Sequence, residues 1–130
     1  MTASASERPL IPQPPASITL LREAVAQIAP AALPAFAREL SRAADQARQG
    51  SDLLPLRRFT AQWAVYVHIQ RHPKIAARFR ELEDLAQATD NADEARSAAA
   101  GLGRILDAAH AAVAQGGFPP LILRPRHTLA

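Results

Sequence analysis

The chain contains no cysteine. Disulfides and thiolate metal sites are therefore excluded, and the redox compartment stays open. Lysine is nearly missing too: of 15 basic residues only Lys74 is lysine, and the rest are arginine. That usage, with much alanine and proline, reads as the mark of a GC-rich genome more than of a surface selected to be basic. Net charge is +3, small for 130 residues, and the pI near 10.5 owes much to arginine. No apolar run approaches the roughly 18 residues of a membrane span, so no membrane partner is expected. The opening MTASASERPLIPQPP has no basic segment followed by an apolar one. It is read as lacking a signal peptide, and a cytoplasmic protein is expected. Catalytic signatures are missing as well. There is no nucleophile elbow and no phosphate-cradling glycine loop, and Ser and Thr are sparse outside the N-terminal arm. No catalytic residue and no cofactor is assigned, and a non-enzymatic protein is expected.

Aromatic residues make up only 5%, and they cluster. The stretch Leu56 to Arg71, LRRFTAQWAVYVHIQR, holds the only Trp, the only Tyr and one of four Phe. Leu56, Phe59, Trp63, Tyr66, Val67 and Gln70 recur three or four residues apart and share one helical face. This helix is expected to be the central packing element. Ser51 or Asp52 is its expected cap, with Pro55 tolerated in the first turn.

The other segments arrange themselves around it. Residues 1–16, with Pro9, Pro12, Pro14 and Pro15, are expected to form a disordered arm. Ile18, Leu21, Val25 and Ile28 make a helical stripe capped by Ser17 or Thr19 and closed by Pro30. A second helix begins near Pro34 with Phe36, Ala37, Leu40, Ala43, Ala44 and Ala47 inside and Gly50 as its C′ residue. A fourth opens at Pro73 and buries Ile75 or Ala76, Phe79, Leu82 and Ala86. The fifth, capped by Asp90, carries Ala92, Ala95, Ala99, Leu102, Leu106, Ala109 and Val113 at 3-4 spacing. That spacing can mark a coiled-coil seam, so a homodimer through residues 92–113 is one expected assembly. Gly101 and Gly103 predict a kink or fraying at mid-helix. The expected fold is all-α: a bundle of four or five helices over 17–116, a disordered N-terminal arm, and an extended tail over 117–130.

Four runs carry a resemblance. LREAVAQIAP (Leu21–Pro30), LPAFARELSRA (Leu33–Ala43), PLRRFTAQWAVYVHIQRHP (Pro55–Pro73) and AARFRELE (Ala76–Glu83) resemble a family of short, uncharacterised actinobacterial proteins. The matching residues are mainly helix-packing ones and span about half of the chain, so the resemblance implies a helical fold and no chemistry. Similar proteins sometimes sit beside toxin genes, which implies an antitoxin-like role. The family offers no catalytic residues to transfer.

Three groups of residues are candidate sites. In the tail FPPLILRPRHTLA, Phe118, Leu121, Ile122 and Leu123 are apolar within a proline frame and are followed by Arg124 and Arg126. These six form an expected arm for docking on another protein chain. Arg57, Arg58, Arg71, Lys74, Arg78 and Arg80 form a basic stretch with no acidic residue between them. It is read first as a solvated face, then as a surface for an acidic protein, and last as a nucleic-acid contact. It lacks a helix-turn-helix turn or an RNA-binding aromatic motif. His68 and His72 lie four apart, a spacing that can grip zinc, but Ile69 breaks the metalloprotease pattern and no third ligand is evident. They are read as structural, with no metal, and the alternative is a metal-dependent enzyme. Glu81, Glu83 and Asp84 are read as solvated. An interaction module is therefore expected, antitoxin-like or otherwise regulatory, with nucleic-acid binding as the alternative.

Overall fold

The structure, a computed structural model, describes residues 8–116. Among them are five α-helices: α1 (Ile18–Ile28), α2 (Leu33–Gly50), α3 (Leu54–Gln70), α4 (Pro73–Ala88) and α5 (Ala92–Gly116), with a 3₁₀ turn at Pro30–Ala32. The described residues hold no strand. The fold is a small all-α bundle, as expected. The candidate tail residues Phe118, Leu121, Ile122, Leu123, Arg124 and Arg126 lie outside the described residues.

Local chemistry sets the boundaries. Ser17 accepts a hydrogen bond from the Leu20 amide at 3.2 Å and caps α1. Asp52 accepts from the Leu54 amide at 3.0 Å and steers the chain into α3. The cap of α5 is Asn91 rather than Asp90. Its Oδ1 accepts from the amides of Asp93 at 2.8 Å and Glu94 at 3.1 Å, because it is the residue immediately before the helix. At the end of α2, Gly50 is still helical, and Ser51 takes the left-handed conformation instead, with φ 50°.

α3 is central because it serves two cores. Phe59, Trp63, Ala64 and Val67 pack with Leu21, Val25, Phe36 and Ala43 of α1 and α2. Phe36 meets Phe59 and Trp63 edge-on, each with centroids 5.0 Å apart. Such pairs stabilise by about 0.5–1.5 kcal/mol beyond the area they bury. Val65 and Ile69 point the other way, into a second core with Ala76 of α4 and Ala109 of α5. The expected single stripe on α3 therefore omitted this second face. A helix wrapped by neighbours on two sides is apolar nearly all round, which erases its amphipathic signature.

α5 runs as one helix from Ala92 to Gly116, so the chain stays helical through Gly101 and Gly103 and does not fray there. Its inward stripe keeps Leu106, Ala109 and Val113 of the expected seam but departs from it in the first half of the helix. Ala98, Gly101 and Ala109 are buried, whereas Ala92 and Ala99 are exposed. The buried residues face α4 and α3 of the same chain. Gly101 lets the helices close up, because a Cβ there would lie 3.0 Å from Leu82 Cδ1.

Residues 8–16 depart from the expected solvated arm. They carry no regular structure but lie against the bundle. The Leu10 amide donates to the Arg71 carbonyl at 2.7 Å, and Ile11 packs on the first core. Arg71 Nη1 donates to the Ile11 carbonyl at 3.0 Å, and its Nε donates to Gln13 Oε1 at 3.1 Å. Gln13 Nε2 in turn donates to the Ala64 carbonyl at 3.2 Å. Proline-rich backbone, with few amides of its own to satisfy, suits such an extended run.

Candidate functional site

Two clefts open where α3, α4 and α5 meet, with Ile69 as a shared wall. The larger is a groove of about 500 Å³. Val65 and Ile69 from α3, Ala76 and Phe79 from α4, and Leu106 from α5 form its apolar floor. Arg58, Arg80 and His110 stand around it, one from each helix, together with a single carboxylate, Glu83. The smaller cleft measures about 310 Å³ and is bordered by His68, Arg78 and Arg104, again one from each helix.

The six residues of the basic stretch do not form one surface. Arg58 and Arg80 share the larger groove, and Arg78 belongs to the smaller cleft. Positions 78 and 80 are two apart on a helix and so point to nearly opposite sides. Arg57 and Lys74 are exposed elsewhere. Arg71 is committed to the N-terminal segment, and partial burial pulls its guanidinium below its ordinary value. Among the described residues an ion pair in this stretch joins Arg78 to Glu81 at 3.3 Å, with both side chains about two-thirds exposed. At that exposure it contributes little.

His68 and His72 do meet, with ring centroids 5.0 Å apart in an edge arrangement. Burial, and then the nearby His72 and Arg71, push the His68 imidazole below its usual value. Among the described residues no group of three or more His, Cys, Asp or Glu converges to hold a metal ion. Trp63 is a core residue. It is buried, and its Nε1 donates to Glu39 Oε1 at 3.0 Å.

Arg104 and His110 were not singled out by the sequence. They interrupt an otherwise alanine-rich helix and lie six apart, about 120° around it. That angle places one on each side of the inward stripe, and the structure seats one in each cleft. The signal was present, but it needed the stripe's register first.

Among the described residues no helix is long and apolar enough to cross a membrane. No protein-family model matches the chain, and neither a curated protein nor a solved structure matches it.

Proposed function

We propose that this protein is a non-enzymatic interaction module that docks an acidic, apolar segment of another protein in the larger groove. The single observation that supports this is the pairing of an apolar floor with Arg58 and Arg80 at the rim, against one carboxylate, Glu83. An apolar anchor gains by leaving water, about 25 cal/mol for each Å² buried. The guanidiniums select a partner whose flanking residues are acidic and disfavour a basic one. The role is regulatory and is exercised in the cytoplasm. An antitoxin-like role is the specific form implied by the resemblance to the actinobacterial proteins. Nucleic-acid binding is the weaker reading, because its six basic residues are split among separate surfaces and Arg71 is already used.

The test is a photo-crosslinking residue placed at Ala61, an exposed position lining the groove, with the same residue at Arg57 as control. In extract of the native host, position 61 should trap one protein species, and the Arg58→Glu/Arg80→Glu double variant should abolish the adduct. Identical adducts from both positions, or none from position 61, would count against the groove. Deleting residues 118–130 separates groove from arm. An adduct that persists keeps the partner in the groove. Its loss moves the docking to Phe118, Leu121, Ile122 and Leu123.

A further inference from the structure

The smaller cleft has a composition that the larger groove lacks. None of the residues that border it is acidic, and its three polar side chains, His68, Arg78 and Arg104, are all basic or imidazole. Between them lies an aliphatic wall of Ile69, Ile75, Leu82 and Ile105. Its volume of about 310 Å³ falls at the low end of small-molecule sites, roughly 300–1,000 Å³. A bare inorganic anion would leave the aliphatic wall uncovered.

Gly101 shapes the site. A Cβ there would lie 3.8 Å from Arg104 Nη2, so the exposed guanidinium of Arg104 lies beside the glycine at the edge of the cleft. Without a Cβ at position 101 that side of the cleft stays open beside the Arg104 head group. Arg78 faces it from α4. Its exposed pair with Glu81 is weak enough to be exchanged for a better acceptor. His68 closes the third side from α3 and can donate one ring N–H.

We infer that this cleft binds a small organic acid with an apolar body, such as a medium-chain carboxylate. Its carboxylate would lie between Arg78 and Arg104 and its chain against Ile69, Ile75 and Ile105. Guanidinium and carboxylate match as planar, two-pronged partners, and such charge-assisted bonds are about twice as strong as neutral ones. The inference is independent of the groove on the other side of Ile69.

Octanoate is the probe, with octanol as its uncharged counterpart, both titrated into the full chain by calorimetry. One saturable octanoate site is expected, in the millimolar range typical of about ten ligand atoms, together with perturbed His68 ring signals in NMR spectra. Arg104→Gln should weaken octanoate about tenfold or more, and Arg78→Gln should do likewise, whereas Arg57→Gln should leave it unchanged. Both substituted arginines are exposed, so the bundle does not depend on them. Octanol binding as tightly as octanoate would overturn the assignment, as would octanoate affinity indifferent to Arg104→Gln. Absence of octanoate binding would do the same.

Discussion

Arg71 and Gln13 are 58 residues apart in the chain and joined side chain to side chain, Nε to Oε1 at 3.1 Å. Two further bonds reinforce the link, from Arg71 Nη1 to the Ile11 carbonyl and from the Leu10 amide to the Arg71 carbonyl. Arg71, at the end of α3, is therefore a main anchor of segment 8–16, beside the Gln13 bond to Ala64 and the packing of Ile11. Arg71→Gln should cost about 1–3 kcal/mol of stability, the range for losing a charged hydrogen-bond donor. Arg71→Lys should restore little, because one ammonium cannot copy the two-pronged guanidinium geometry. Amide hydrogen exchange at Leu10 checks this directly. It should quicken in both variants, while exchange in the core of α2 follows only the global loss.

The two internal glycines of α5 should respond in opposite directions to alanine. At Gly103 a Cβ meets nothing within 4 Å. Gly103→Ala should therefore stabilise by about 0.5–1 kcal/mol through helix propensity and reduced freedom of the unfolded chain. At Gly101 the Cβ would press on Leu82 at 3.0 Å. That contact should cancel or exceed the propensity gain. Urea denaturation of the two variants side by side provides the comparison, and equal gains would show that Leu82 yields freely.

Trp63 joins the aromatic cluster to a polar anchor. It packs edge-on against Phe36 and Tyr66 and donates to Glu39. Trp63→Ala should cost about 3–5 kcal/mol, as expected for emptying a large buried site. Glu39→Leu removes only the acceptor and should cost about 1–3 kcal/mol by stranding the indole N–H. Trp63 is the only tryptophan, so Glu39→Leu should also change its fluorescence maximum in the folded state.

Acidification should act through His68. Its folded value lies below the ordinary one, chiefly through burial, then through His72 and Arg71. Across the cleft, Arg78 from α4 and Arg104 from α5 add charge that stays positive at any working pH. As pH falls below about 6.5, the unfolded chain takes up a proton that the folded chain still refuses. The unfolded state then binds more protons, so stability drops until the folded value is passed. Thermal unfolding at about pH 7.5 and pH 5 should show a smaller loss for His68→Gln than for the natural chain.

Sequence periodicity identified α1, α2 and α4 well, apart from Ala37, which was expected inside α2 and is exposed. Leu21 and Val25, Phe36 and Ala43, and Ala76 and Leu82 are inward-facing as their spacing requires. It fell short on α3, where Ala64 through Ile69 is almost uniformly apolar and no single stripe stands out. Only the packing shows that Val65 and Ile69 serve a different core from Trp63. On α5 the register slipped because neighbouring alanines are interchangeable to a periodicity count. Ala98 is buried and Ala99 is exposed. The clefts were illegible for a related reason. Arg78 and Arg80 look like one basic run until the helix separates them, and Arg104 and His110 gain meaning only beside α4. The docking of residues 8–16 depends on bonds spanning about sixty positions, and no local pattern encodes those.

The interior face of α5 sets three residues with almost nothing left to remove, Ala98, Gly101 and Ala109, beside the larger Ile105, Leu106 and Val113. Truncation scanning replaces each side chain with alanine and reads the damage. At Ala98 and Ala109 it would report silence, although this helix encloses the second core and walls both clefts. The informative experiment runs the other way, through enlargement. Ala98→Leu or Ala109→Leu would pry α5 from its neighbours, whereas the same change at exposed Ala99 would be absorbed by solvent. A deep mutational map of this chain should therefore show intolerance to size at Ala98 and Ala109 and tolerance at Ala99.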